Sequence, residues 1–107
     1  MLDIVDEKEF ESIMKDVSVL YFWATWCGPC RMLSSVIDEY TKDHPTVSIV
    51  KINVDESKEI AAEYDIQSLP TVLIFKRGKE IASRTGFMSK SAFADFIISS
   101  VNSGLVS

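Results

Sequence analysis

The feature that most constrains this chain is the segment 27–30 (CGPC), which holds both cysteines of the sequence. An apolar run over residues 17–24 (VSVLYFWA) precedes it, and apolar residues at helical spacing follow it. Such a pattern predicts a buried strand that leads into an amphipathic helix. The two cysteines then form a dithiol/disulfide pair on the first turn of that helix.

The position of the pair in the helix predicts its chemistry. The free N–H groups and the dipole of a helix N-terminus favour a negative charge, so they stabilise a Cys27 thiolate. The i, i+3 spacing places Cys30 on the same face, ~5–6 Å away between Cβ atoms, which is compatible with a disulfide. Pro29 costs no hydrogen bond in a first turn, and Gly28 leaves access to the Cys27 sulfur. We expect Cys27 to attack a substrate disulfide and Cys30 to resolve the mixed disulfide.

Two other interpretations of the cysteine pair stay open at this point. A structural disulfide closing so short a loop would contribute only ~2 kcal/mol. A zinc site needs about four ligands, and the only histidine is His44, so zinc would require a dimer. We expect no metal, and we expect His44 to be a solvated residue at a helix end.

Composition limits the class of protein. The 107 residues predict a single domain over 1–107, whose core needs no covalent staple. A net charge of −5 argues against a nucleic-acid partner. No stretch approaches the ~20 apolar residues of a membrane span, and the first residues lack the layout of a signal peptide. We therefore expect a cytoplasmic protein, and in that compartment a CxxC pair is more often catalytic than structural.

Periodicity predicts the element order β-α-β-α-β-α-β-β-α. Alternating strands and helices imply parallel βαβ crossovers, with helices on both faces and a final antiparallel hairpin that turns at residues 77–78. The aromatic run 21–23 is expected in the core, and Ile60, Ala61 and Tyr64 are expected to face inward. The strands are predicted at 2–5, 17–24, 47–54, 71–76 and 80–85, and the helices from Asp6 to Asp16, from the CGPC segment to His44, over 57–64, and from Ser89 to Gly104.

Three segments resemble signatures of the thioredoxin family. Residues 22–30 (FWATWCGPC) resemble its active-site signature, 69–71 (LPT) its cis-proline motif, and 85–87 (TGF) its glycine loop facing the active site. The likeness covers essentially the whole chain. It implies the thioredoxin fold, an α/β fold with a central five-stranded mixed β-sheet flanked by four helices.

The resemblance also implies a function. Members of this family are protein-disulfide reductases that bind no cofactor, because thioredoxin reductase recharges them with its own NADPH and FAD. The implied substrates are disulfide-containing proteins such as peroxiredoxins, methionine sulfoxide reductase or ribonucleotide reductase. The resemblance also implies that the protein acts as a monomer. A cis Leu69–Pro70 bond would expose the backbone of Leu69 to an extended substrate segment. The implied substrate groove consists of Trp26, Gly28, Pro29, Leu69, Pro70, Gly86 and Phe87.

The chain departs from the family at two positions. Tyr21 stands where the family usually has a buried aspartate, which is thought to deprotonate the resolving cysteine through water. A tyrosine with an ordinary pKa of ~10 is a poor base at neutral pH. Lys51 matches the family lysine near that aspartate and so lacks its usual partner. The resemblance implies that Gly28, Pro29, Tyr21 and Lys51 tune the active site. Ser35 stands where the family commonly has a helix-kinking proline, so the helix would run straighter or be bent gently by the hydroxyl.

We therefore expect Cys30 to be activated without a dedicated carboxylate, by water or by the leaving thiolate. Tyr21→Asp should then speed resolution of the mixed disulfide near neutral pH. In the alternative interpretation Tyr21 simply packs and another group compensates. Two other functions compete with the reductase: a binding module in which redox turnover is incidental, and a disulfide oxidase or isomerase.

Overall fold

A computed structural model describes the backbone of residues 15–106 and the side chains of residues 15–102. The described part contains four strands and three helices, with boundaries within two residues of those predicted apart from the end of the last helix. None of these helices is both long and apolar enough to cross a membrane. In chain order the elements are β1 (Val17–Trp23), α1 (Gly28–Asp43), β2 (Ser48–Asn53), α2 (Lys58–Glu63), β3 (Thr71–Lys76), β4 (Lys79–Thr85) and α3 (Lys90–Val106).

The sheet is mixed, with the strand order β2-β1-β3-β4. β1 pairs with β2 in parallel and with β3 antiparallel, and β3 and β4 form the predicted hairpin. Arg77 and Gly78 turn that hairpin with φ of +53° and +80°, the signs that a tight two-residue turn requires. Within residues 15–106 the fold is thus a four-stranded mixed sheet with three helices. The strand predicted at 2–5 and the helix predicted after Asp6 lie outside the described residues.

Side chains of β1 alternate between the two faces of the sheet, and this alternation organises the core. Val17, Val19 and Tyr21 belong to the larger hydrophobic cluster, which β1 and β3 share with helices α1 and α3. Phe22 faces the other way, into a smaller cluster with residues of β2 and β3. The prediction that the aromatic run lies in the core is confirmed for Tyr21 and Phe22, while Trp23 is half-buried.

The inward face predicted for α2 is only partly covered. Ala61 is half-buried, but Ile60 is exposed, and no residue of this six-residue helix is buried. Tyr64, just after the helix, is also partly exposed, although its ring packs against Phe22 and Phe75. The periodicity shows which side of a helix is apolar. It does not show how much of the sheet lies beneath so short an element.

The ends of the two long helices test the predicted stop and start signals. Ser89 caps α3 as predicted, because its Oγ accepts the N–H of Ala92 at 3.2 Å. The prediction that Gly104 ends α3 is wrong, since the helix continues to Val106. A glycine inside a helix costs only about 1 kcal/mol, so one near the end need not stop it. His44 does end α1, but it is half-buried, with its ring centroid 4.5 Å from that of Tyr40.

Candidate active site

Cys27 and Cys30 form a disulfide at the N-terminus of α1, with their Cα atoms 5.2 Å apart. Cys27 is the N-cap residue with extended backbone, and Pro29 lies within the first turn. The N–H of Cys30 donates to Sγ of Cys27 at 3.3 Å. One of the free donors of the helix terminus therefore points at this sulfur, the contact that would stabilise a thiolate there.

The two sulfurs differ in their access to solvent. The exposed fraction is 6% for Cys27 and 0% for Cys30, while Gly28 and Pro29 between them are exposed. A Cβ placed on Gly28 would meet no atom within 4 Å, so the space around this glycine is open. Of the two cysteines, only Cys27 is in contact with solvent, and it lines the cleft described below.

The structure brings the later motifs together beside Cys27. The Leu69–Pro70 peptide bond is cis, as predicted. Leu69 packs against the cluster that contains both cysteines, and the N–H of Gly86 donates to the Pro70 carbonyl at 2.9 Å. Phe87 next to Gly86 is exposed. Leu69 thus lies beside the two cysteines, and the glycine loop is bonded to the cis-proline that follows Leu69.

A cleft of about 280 Å³ opens on this surface. Trp26 borders it with two thirds of its side chain exposed, and its Nε1 donates to Asp55 Oδ2 at 2.9 Å. Sequence reasoning missed Asp55 and the residues lining the far side of the cleft. Val54 and Asp55 follow β2 at the edge where β1 ends, and that shared edge was an available signal because β1 and β2 are parallel. The lining residues are Trp26, Cys27, Val54, Ala61, Ile66, Gln67 and Leu69.

Tyr21 lies beneath the disulfide and is fully buried. Its hydroxyl donates to the carbonyl oxygen of Cys30 at 2.6 Å and lies 3.0 Å from Ser34 Oγ. A phenol has a single proton, so Ser34 is the donor in the second bond. Burial raises the pKa of Tyr21 above its usual value, against the opposing effect of the Ser34 bond. Tyr21 therefore stays protonated at neutral pH. Its hydroxyl makes two hydrogen bonds in addition to packing, and the alternative interpretation, in which another group compensates, stays a prediction.

Lys51 pairs with a carboxylate, but not with the buried aspartate that its counterpart in the family would contact. It pairs across the strands with Tyr21, and its Nζ is 2.6 Å from Asp38 Oδ1 in an ion pair exposed to solvent. Asp38 lies two turns beyond Cys30 on α1. The same carboxylate contributes to the raised pKa of Tyr21, as the smallest of its causes. The role predicted for Lys51 in tuning the active site stays a prediction.

The two serines after the active site behave differently. Ser35 donates a long 3.5 Å hydrogen bond to the Arg31 carbonyl one turn back, and α1 is continuous from Gly28 to Asp43. Ser34, on the side that faces Tyr21, was not singled out from the sequence. Its only signal was a small polar residue one turn after Cys30, which is too weak to identify a partner for a buried tyrosine.

Comparison with known proteins agrees with this geometry. The thioredoxin family profile matches residues 2–99. A thioredoxin of Rickettsia bellii is 41% identical over 101 residues, covering 91% of this chain and 96% of its own. A thioredoxin of Pyropia yezoensis is 46% identical over 86 residues, covering 78% of this chain and 80% of its own. The X-ray structure of Fasciola hepatica thioredoxin superposes with a TM-score of 0.73 at 31% identity, covering 84% of this chain and 86% of that one.

A redox disulfide at a helix N-terminus and this fold together define a thiol–disulfide oxidoreductase. With the family match over most of its length, the chain belongs to the thioredoxin family.

Proposed function

We propose that the protein is a protein-disulfide reductase in which Cys27 is the attacking nucleophile and Cys30 the resolving thiol. The observation that carries this assignment is the contrast between the two sulfurs. Cys27 is the cysteine with some exposure to solvent, and its sulfur accepts the N–H of Cys30 at the helix terminus. The Cys30 sulfur is enclosed, so it can react with the neighbouring Cys27 sulfur but not with a substrate directly.

The proposed cycle has two exchange steps. The Cys27 thiolate attacks one sulfur of the substrate disulfide, and the other substrate sulfur leaves as a thiolate. The Cys30 thiolate then attacks Sγ of Cys27, which forms the Cys27–Cys30 disulfide and releases the second substrate sulfur. The substrate disulfide gains two electrons and two protons, and the dithiol is oxidised to the disulfide that the structure contains.

We assign substrate binding to the apolar surface around Cys27. Trp26 and Phe87 are large, exposed side chains, which a soluble protein displays where a partner covers them. Leu69, Pro70 and Gly86 join them through the hydrogen bond between Gly86 and Pro70. Gly28 and Pro29 complete the rim at the helix start. An extended substrate segment would lie across this surface and pair with the backbone of Leu69.

Family membership supports the proposed partners. Thioredoxin reductase, with its own NADPH and FAD, would return the disulfide to the dithiol, and peroxiredoxins, methionine sulfoxide reductase or ribonucleotide reductase would be substrates. A reductase of this kind works where thiols are kept reduced, so we propose a cytoplasmic monomer. We also propose the family's full architecture for this chain, a central five-stranded mixed sheet flanked by four helices.

Turbidity of insulin in dithiothreitol tests the reductase assignment, because reduced insulin precipitates. The wild-type protein should accelerate precipitation, and Cys27→Ser should give the rate of dithiothreitol alone. Ser35→Ala, at an exposed position of the same helix, is the matched control and should act like the wild type. Equal acceleration by wild type and Cys27→Ser would refute the enzyme and favour a binding module.

A further inference from the structure

A chain of hydrogen bonds runs from Ser34 to the backbone of Cys27. The Ser34 hydroxyl lies 3.0 Å from the Tyr21 hydroxyl, which donates to the Cys30 carbonyl at 2.6 Å. The peptide unit that carries this carbonyl also carries the N–H of Arg31, which donates to the Cys27 carbonyl at 3.2 Å. Consecutive hydrogen bonds of this kind polarise and strengthen one another. The first turn of α1 is therefore tied to a side chain of the sheet.

Tyr21 provides a rigid attachment for this turn. It belongs to β1, which lies inside the sheet between β2 and β3. Its ring is fully buried in the cluster that includes Leu33 and Ile37 of α1. A side chain so closely surrounded has few alternative rotamers, so the position of its hydroxyl is set by the core.

We infer that Tyr21 is the positioning residue of Cys30, holding the first turn of α1 so that the Cys30 thiol stays beside Cys27 when no disulfide joins them. The inference rests on the proposed roles of the two cysteines. In the oxidised protein the disulfide itself restrains the turn. In the dithiol and in the mixed disulfide only non-covalent contacts do, and the bond from Tyr21 to the Cys30 carbonyl is one of them.

Two consequences follow from a higher effective concentration of the Cys30 thiol. The Cys30 thiol attacks the mixed disulfide faster, because it already lies close to the geometry that the reaction requires. The internal disulfide is also easier to form, which makes the dithiol a stronger reductant. The attack by Cys27 on a substrate does not depend on where Cys30 lies, so that step is unaffected.

The chain offers a matched pair of variants. Tyr21→Phe removes a buried hydroxyl that makes two hydrogen bonds. Tyr40→Phe removes one from a tyrosine that is equally buried, but whose hydroxyl has no hydrogen-bond partner within the described part of the protein. Both substitutions keep the aromatic ring and therefore the packing. They differ in the contact under test.

Stopped-flow reaction of the reduced proteins with 5,5′-dithiobis(2-nitrobenzoate) separates the two steps. The first thionitrobenzoate is released by Cys27 and the second by Cys30. Tyr21→Phe should slow the second release about fivefold, the factor that one ordinary hydrogen bond contributes, and change the first by less than about twofold. Tyr40→Phe should leave both within about twofold of the wild type.

Equilibration with the dithiothreitol couple gives a second readout. For Tyr21→Phe the equilibrium constant should move about fivefold toward the dithiol, which is about 20 mV at 29.6 mV per factor of ten. A purely structural tyrosine would destabilise both redox forms alike and leave this constant unchanged. Tyr40→Phe should not move it.

The wild type and Cys30→Ser are measured first. A failure of the proposed cysteine roles can then be distinguished from a failure of the inference about Tyr21. If wild type does not release two equivalents, or Cys30→Ser does not stop after one, the proposed roles of the cysteines are wrong. If both behave as proposed, the inference is overturned by a Tyr21→Phe protein that retains the wild-type redox constant and second rate. It is also overturned if both releases slow to the same extent.

Discussion

The two cysteines have their Cα atoms 5.2 Å apart and share one small hydrophobic cluster, yet they differ in exposure and in hydrogen bonding. Cys27 lies on an open, largely apolar side with Trp26 and Leu69, and the Gly86 loop bonds to the neighbouring Pro70. Cys30 lies on a closed side, where the Tyr21 and Ser34 hydroxyls meet its backbone. The open side presents exposed apolar side chains, and the closed side presents hydroxyls that bond to the backbone of Cys30 or to each other. Burial therefore divides the labour between two chemically identical residues.

The largest expected effect is on the free energy of unfolding, which should fall more for a substitution on the closed side than for one on the open side. Tyr21→Ala should lower the free energy of unfolding by about 3–5 kcal/mol, because it leaves a cavity in the core. Trp26→Ala should lower it by less than about 1 kcal/mol, because two thirds of that side chain is exposed and its one polar bond lies at the surface. Urea unfolding of the oxidised proteins measures both. Equal losses would show that Trp26 is a structural residue.

Alkylation should separate the sides by reactivity. In reduced protein, the Cys27 thiol of Cys30→Ser should react with iodoacetamide on the order of a hundredfold faster than the Cys30 thiol of Cys27→Ser, because buried Cys30 reacts only through local opening. The two rates should converge in concentrated urea, which serves as the control. Similar rates in the folded proteins would contradict the assignment of nucleophile and resolving thiol.

Alkaline pH tests the larger hydrophobic cluster, to which both Tyr21 of the closed side and Tyr40 belong. Burial raises the pKa of Tyr40 to about 12, from a usual value of 10.0. Up to about pH 9 the tyrosine is protonated in both the folded and the unfolded chain. Between there and pH 12 the unfolded chain releases the proton first, so stability falls as the pH rises. At pH 11 the wild type should have lost about 1 kcal/mol more than Tyr40→Phe, relative to pH 8.

Urea unfolding of the oxidised wild type and Tyr40→Phe at the two pH values measures this difference. Because Tyr40→Phe keeps the ring, the comparison removes the contributions of every other titrating group. A constant difference between pH 8 and pH 11 would show that Tyr40 ionises as readily in the folded protein as in the unfolded chain.

The smallest expected effect concerns Lys51. Its ion pair with Asp38 is exposed, so Lys51→Met should change the free energy of unfolding by less than about 1 kcal/mol. We expect the release of thionitrobenzoate by Cys30 to change by less than about twofold. Asp38→Asn, which removes the other member of the pair, should match it. A slowing of about tenfold in either variant would show that the ion pair acts on Cys30. The closed side would then include Lys51 and Asp38 as well as Tyr21 and Ser34.

The open side could largely be predicted from the sequence. The segment 26–30, the LPT motif and the glycine loop each have a recognisable pattern, and the structure brings all three together. The far wall of the cleft could not be predicted, because Ile66 and Gln67 belong to a connecting segment with no periodic pattern. For the closed side, the sequence indicated only that position 21 departs from the family pattern. The sequence shows that Tyr21 replaces a carboxylate, but not that its hydroxyl reaches the Cys30 carbonyl.

The sequence by itself determined the order of the described elements, the buried strand before CGPC, and the placement of Cys27 at a helix start. These follow from local periodicity and from the stereochemistry of proline and of helix ends, which neighbouring residues define. Only the tertiary structure decided that Cys30 is the enclosed sulfur, that Lys51 pairs with Asp38, and that Tyr21 and Ser34 meet beneath the disulfide. The last two of these features are contacts that join β2 or β1 to α1. Their geometry depends on how the helix lies on the sheet, and no local pattern encodes that distance.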